Sequence, residues 1–286
     1  IRVPLGFAIG IATLLTMAIE GMPLTTLAVT YFSAVDTFAF MAIPLFLFAG
    51  SLMEHGGISA RLIAVADVLL GRLVGGLSLV TIGASMFFGA LTGAGNTATA
   101  AVGSMMIPTM IKRGYGRAFA GAVTAIGGTM GILIPPSIAL IVYGIMADVS
   151  IARLFLAGVV PGVILGVALM VAAYLISRKR GYKGSDTQFS VSGLGKAVNH
   201  GKWALMAPVI ILGGIYGGVI TPTESAVIAV VYGFLVGAFI HKELTFEKVM
   251  ICLKATAAVT GVVGIIWGTA LGFGELLAIH QIPHMV

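Results

Sequence analysis

Thr92-Gly93-Ala94-Gly95-Asn96-Thr97 joins two apolar runs, Leu73–Leu91 and Ala98–Ile111, and its reading decides the fold. At 1.5 Å per residue, residues 98 to 111 make about 21 Å of helix, short of a bilayer core of about 30 Å. Two short helices meeting at a small, polar tip read as a re-entrant hairpin. Such a tip survives at membrane depth only when buried in protein or lining a wet cavity. Two ordinary spans joined by a small external loop are the alternative. A second interruption follows in Gly127-Gly128-Thr129-Met130-Gly131-Ile132-Leu133-Ile134-Pro135-Pro136-Ser137. Proline has no N–H and clashes with the preceding turn. The Ala118–Ala147 run is therefore expected to break at Gly127–Thr129 and again from Gly131 to Pro136. The freed carbonyls need partners, and a bound cation is one. A proline kink satisfied by neighbouring helices is the other reading.

Composition places both features in a membrane. Of 286 residues, 59% are hydrophobic and 9% charged, with mean hydropathy +1.11, whereas soluble domains carry about 25% charged residues. Forty glycines without a collagen period suit close helix packing and broken helices. The net charge of +6 forms no basic stripe interleaved with aromatics, which argues against nucleic acid and for a positive-inside bias. A single cysteine, Cys252, excludes an internal disulfide framework. The chain opens without methionine and stops in mid-pattern, as expected of a fragment.

The sequence predicts roughly nine to eleven helical membrane segments and no barrel strands. Spans are expected near Val3–Ile19, Thr37–Met53, Ile151–Ile176, Trp203–Gly218, Ser225–Ile240 and Ala255–Leu277, with Gly21–Asp36 a mixed link. Ile58–Gly71, carrying Arg61 and Asp67, reads as an amphipathic helix along the interface, with Glu54, Asp67, Arg61 and Arg72 solvated there. Arg178–Lys202 reads as one long polar loop. Its six basic residues against Asp186 place it in the cytoplasm. The spans entered at Pro4 and at Pro222 open two similar units of opposite orientation, an inverted repeat of the kind that builds secondary transporters. The chain then divides into 1–72, scaffold helices and interfacial arm; 73–147, a transport domain of hairpin and broken helix; 148–177, a closing span; 178–202, the loop; and 203–286, a linker helix and the start of the second repeat.

Phe87-Phe88-Gly89-Ala90-Leu91-Thr92-Gly93-Ala94-Gly95-Asn96-Thr97-Ala98, Ser104-Met105-Met106-Ile107-Pro108, the Pro135-Pro136-Ser137 run, Leu154–Gly162 and Gly213–Glu224 together resemble the large membrane subunit of a tripartite ATP-independent periplasmic (TRAP) transporter. The likeness covers essentially the whole chain, in order. It implies an all-α, polytopic, inverted-repeat elevator protein in a bacterial inner membrane, importing an organic acid with sodium. The C4-dicarboxylate, keto-acid and sialic-acid classes all suit it. It implies a small four-helix membrane subunit (Q type) and a periplasmic solute-binding protein (P type) as partners, and no cofactor beyond the coupling sodium. It also implies a second hairpin and a second Pro-Pro break beyond Val286. A sodium/divalent-anion symporter working without a binding protein is the alternative, because Gly95-Asn96-Thr97 is similar to the Ser-Asn-Thr hairpin tips of that family.

On this resemblance a sodium ion is expected between the tip and the broken helix, at Gly93, Gly95, Asn96, Thr97, Gly128, Thr129 and Gly131. Substrate would meet Asn96, Thr97, Pro135, Pro136 and Ser137. Asn96 also fits a helix cap. No arginine lies in the apolar centre of a span, so a carboxylate would be met by helix N-termini, amides, hydroxyls and the sodium itself. Glu224 reads as a structural cap, and Trp203 and Tyr216 as interface anchors. An intramembrane enzyme would need a nucleophile–base pair or metal cluster. His55, His200, His241, His280 and His284 show no such spacing with one another, with Cys252 or with a carboxylate. No Gly-Lys-Ser/Thr phosphate loop exists, against an ATP-driven pump. A channel would need a continuous polar pore, and the polar residues cluster at one tip and one break.

Overall fold

The computed structural model describes residues 3–184 and 191–281, and every element among them is helical. In chain order they are α1 Leu5–Ile19, α2 Thr25–Val35, α3 Ala42–His55, α4 Ile58–Leu70, α5 Gly76–Thr92, α6 Gly95–Lys112, α7 Arg117–Leu133, α8 Ile138–Met146, α9 Ile151–Lys179, α10 Val191–Tyr216, α11 Pro222–Leu235 and α12 Phe246–Ile279. The end of α11 widens into a π-helical turn, Val236–Ile240. Among the described residues, four stretches are long and apolar enough to cross a membrane: Arg117–Met146, Ile151–Lys179, Pro222–Ile240 and Phe246–Ile279. The chain is an all-α polytopic membrane protein.

Several boundaries differ from the sequence reading; α6, for one, runs 18 residues from Gly95 to Lys112, longer than the 98–111 stretch. The link after α1 contains a helix, α2, held to α12 by packing. The helix α7 runs without interruption through Gly127-Gly128-Thr129 and stops only at Leu133. Mid-helix glycine costs about 1 kcal/mol relative to alanine, but here it admits close neighbours. Ideal Cβ atoms on Gly127 and Gly128 would strike Ser85 Oγ and Thr99 Oγ1. The 178–202 loop is shorter than expected, because α9 continues to Lys179 and α10 begins at Val191. Residues 185–190 of that loop, including Asp186, lie outside the described residues. Finally, α12 starts at Phe246 rather than near Ala255, with Thr245 capping its first turn through the Lys248 N–H.

The core gathers Phe46 of α3, Phe88 and Leu91 of α5, Ala98 of α6 and Phe155 of α9, all fully buried. Helix α4 is amphipathic, as its sequence predicts. Its Ile58, Leu62, Val65 and Ala66 are buried between α5 and α10, and the polar edge carries Arg61. The two expected repeat units exchange partners. The opening helix of the second, α11, packs along α3, while α1 packs along α12. Glycines make the latter approach close, since a Cβ on Gly6 would stand 2.8 Å from Ile265 Cγ2 and one on Gly10 2.9 Å from Thr269 Cγ2. Thr221 and Glu224 form a reciprocal capping box at the start of α11, as expected of Glu224.

The turn between α3 and α4 is tied to the end of α11. The His241 Nδ1–H donates to Gly56 O at 2.8 Å; a carbonyl can only accept, so this nitrogen carries the proton. Arg61 Nη1 donates to Gly57 O at 2.8 Å and to Glu243 Oε1 at 2.8 Å. Lys248 Nζ donates to Glu243 O at 2.7 Å. Burial pushes the His241 pKa below its usual 6.5; the Gly56 bond and Glu243 oppose this, while Arg61 and His200 reinforce it. The folded state therefore binds fewer protons here than the unfolded chain. The contribution is present above pH 6.5 and is lost as pH falls through the lowered folded value. Thermal unfolding of the purified subunit should show a midpoint that drops from pH 7 to pH 5, with a smaller drop in His241→Asn. An identical pH profile in the variant would contradict the assignment.

Candidate functional site

The hairpin closes in two residues. Helix α5 ends at Thr92; Gly93 takes φ +65° and its N–H bonds Gly89 O at 2.9 Å. This is the left-handed position after a helix that glycine occupies without Cβ strain. Ala94 is extended, and α6 starts at Gly95. The first ladder bond runs from Ala98 N–H to Ala94 O, so the N–H groups of Gly95 and Asn96 have no partner within the helix.

The broken helix receives this tip. After α7, residues Ile134, Pro135, Pro136 and Ser137 are non-helical. Prolines at 135 and 136 cannot donate to the carbonyls four residues back, those of Gly131 and Ile132. Ser137 Oγ–H takes over Ile132 O, while Ser137 Oγ caps α8 by accepting from Leu140 N–H at 3.3 Å. Gly131 O is left without its ladder donor. The first N–H of α8, Ile138, donates across to Gly93 O at 3.0 Å, so tip and break are joined by backbone. A Cβ on Gly93 would stand 2.7 Å from Pro136 O, one on Gly95 2.8 Å from Gly128 O, and one on Gly89 2.5 Å from Gly131 Cα.

The structure thus brings Gly93, Gly95, Gly128, Gly131, Pro135, Pro136 and Ser137 together. Asn96 and Thr97 face elsewhere. With Ala100 of α6 they line a cleft of about 270 Å³, opposite Leu47, Ser51, Glu54 and His55 of α3 and Ala255, Thr256 and Val259 of α12. Asn96 Oδ1 accepts from Thr97 N–H at 2.9 Å. The Thr129 hydroxyl turns away to Ile126 O at 2.6 Å on an exposed face. Gly128 and Thr129 lie in intact helix, so Gly131 is the glycine of this group whose carbonyl the prolines free.

Two polar groups of that cleft, and one contact behind its His55, are not apparent from the sequence. Glu54 is half-buried beside the hairpin tip rather than solvated at an interface. Thr256 Oγ1 is buried without a hydrogen-bond partner. The Cys252 sulfur lies 3.6 Å from His55 Nδ1, which also bonds Ser51 O at 3.0 Å. His280 Nε2 likewise meets Glu20 Oε2 at 3.0 Å. Both pairings join residues some 200 or more positions apart, which linear spacing cannot reveal. Among the described residues no three histidine, cysteine or acidic side chains converge as a metal site.

The family model described as "Tripartite ATP-independent periplasmic transporter, DctM component" matches residues 1–286. The chain is 43% identical over 284 residues to the isethionate TRAP transporter permease protein DctMQ of Oleidesulfovibrio alaskensis, covering 99% of this chain and 45% of that protein. It is 37% identical to the sialic acid TRAP transporter permease protein SiaT of Haemophilus influenzae, covering 100% of this chain and 46% of the relative. It is also 37% identical to the C4-dicarboxylate TRAP transporter large permease protein DctM of Pseudomonas aeruginosa, covering 91% and 61%. The chain therefore spans about half the length of the curated relatives it matches. A family match along all 286 residues, with relatives 37–43% identical, shows that this chain belongs to the DctM family of TRAP transporter membrane components.

Proposed function

We propose that this chain forms part of a TRAP-type importer in a bacterial inner membrane, taking up an organic anion with sodium by movement of the hairpin and broken helix against α1, α3, α11 and α12. It acts as a transporter and not as an enzyme. The observation that carries this reading is the Gly93–Asn96 tip lodged in the break of α7 and α8. There the N-terminus of α6 presents unpaired N–H groups beside the Gly131 carbonyl that Pro135 frees. A cation is favoured by the free carbonyl and a carboxylate by the helix N-terminus, while the Asn96 and Thr97 oxygens face the adjoining cleft. One sodium would sit beside Gly93, Gly95 and Gly131, and the substrate between Pro135-Pro136-Ser137 and the cleft side of Asn96 and Thr97; Gly128 and Thr129 stay in intact helix, with the Thr129 hydroxyl turned to Ile126 O. The reciprocal packing of α11 on α3 and α1 on α12 supports the inverted repeat, since a two-fold axis between two units generates that exchange.

The relatives are named for isethionate, sialic acid and C4-dicarboxylates, which supports an organic acid as the substrate class. A small Q-type membrane subunit and a periplasmic P-type binding protein complete the assembly, and loop 178–202 faces the cytoplasm. Proteoliposomes holding the full-length subunit and its membrane partner, supplied with binding protein and candidate acids, test the reading. Uptake should require both an inward sodium gradient and the binding protein. With two or more sodium ions per monoanion it should carry an inward current, each net charge gaining about 2.3 kcal/mol per 100 mV. Sodium-dependent uptake without the binding protein would instead favour a simple symporter, and sodium-independent uptake a channel.

A further inference from the structure

A second polar pocket, sharing no lining residue with the hairpin-tip cleft, lies where α4, α10 and the π-helical end of α11 meet. Arg61, Lys196, Asn199, His200, Trp203 and His241 line it around about 590 Å³. Its charge is one-sided. Glu243 is the acid nearby, and it is held by Arg61 Nη1 at 2.8 Å. Arg61 bonds Gly57 O and Glu243 through Nη1, which leaves Nε and Nη2 for a ligand. His241 is fixed through Nδ1 to Gly56 O, while its Nε2 is buried and has no hydrogen-bond partner. Arg61, Lys196 and His200 are the other cationic or ionisable groups of the pocket, and Lys202 stands over the Trp203 ring at 5.7 Å from its centroid.

We infer that this pocket binds the phosphate of an anionic phospholipid headgroup in the cytoplasmic leaflet. A phosphate is the shared chemistry of a lipid headgroup and a soluble anion. The walls select the lipid, because Trp203 and Ile240 line the same opening and exposed Val198, Met206, Val209 and Phe239 extend an apolar surface along the same two elements. An indole beside cations at the end of a span is the arrangement suited to a headgroup above acyl chains. The side of the membrane follows from the basic residues of 178–202, to which Lys196 and Lys202 belong. The inference is independent of what the protein transports.

Native mass spectrometry of the full-length subunit, with phosphatidylglycerol against phosphatidylcholine, reads the site. The wild type should retain phosphatidylglycerol at least tenfold better. Lys196→Ala, an exposed substitution, should lower that retention about fivefold, while Arg117→Ala, removing an exposed cation of the same membrane side outside the pocket, should not change it. Thermal midpoints in phosphatidylcholine should match among the three proteins, so loss of lipid would not reflect misfolding. Absence of a headgroup preference, an equal loss in Arg117→Ala, or full retention in Lys196→Ala would each overturn the site. Displacement of the lipid by millimolar inorganic phosphate would overturn the lipid assignment in favour of a soluble anion.

Discussion

Gly89→Val should destabilise the subunit by about 3 kcal/mol, the upper part of the range for forced overpacking, and should abolish uptake. The cause is backbone against backbone. A Cβ on Gly89 would sit 2.5 Å from Gly131 Cα and 2.8 Å from Gly131 N, and neither atom can swing aside as a side chain does. Relief requires α5 and α7 to separate, which withdraws the hairpin tip from the helix break. Gly121→Val provides the comparison, because nothing lies within 4 Å of the Cβ position there. It lies in α7, the helix that Gly89 of α5 approaches, and should lose little, since valine is a better helix former than glycine. The measurement is the thermal midpoint in detergent, followed by proteoliposome uptake. Equal midpoints for the two variants would mean that the α5–α7 crossing is looser than described.

Asn96→Ala should leave the fold nearly intact and reduce sodium-dependent uptake about 30-fold or more, the scale of one lost hydrogen bond to a charged group. The structure separates this from a capping role. Ala94, not Asn96, occupies the cap position of α6, and the Asn96 side chain accepts only the adjacent Thr97 N–H at 2.9 Å. Loss of that bond should cost no more than about 1 kcal/mol. Asn96→Asp is the sharper variant. It keeps an oxygen for Thr97 N–H and for a cation but places negative charge where an anionic substrate would approach. Uptake should fall in both variants while the midpoint barely moves in Asn96→Asp. Full sodium-dependent uptake in Asn96→Ala would remove Asn96 from the site, and a loss of uptake matched by a loss of fold would return it to a structural role.

Much of this architecture was legible in the chain because it depends on local chemistry. Proline at 135 and 136 lacks the N–H that a helix needs, so the break between α7 and α8 follows from residue identity alone. Gly93 supplies the one backbone conformation that lets α5 reverse into α6 within two residues. Apolar content and the clustering of Lys and Arg determined a polytopic helical membrane protein in the same way.

Where local preference and packing disagreed, the tertiary structure decided. Gly127-Gly128-Thr129 reads as a break by propensity, yet these residues are helical, since their small size is what admits Ser85 and Thr99. Arg61 and Asp67 mark α4 as amphipathic, but only packing shows that α5 and α10 are what close over its apolar face. The direction of Asn96 and Thr97 depended on helical phase relative to α3 and α12. So did the burial of Glu54 and Thr256 opposite them, and the meeting of His55 with Cys252. A pattern of residues specifies which groups a helix carries and where it must end. Which of them share a cleft is set by how α3, α6 and α12 pack, a property of contacts between segments about 40 to 200 residues apart, to which no single segment gives access.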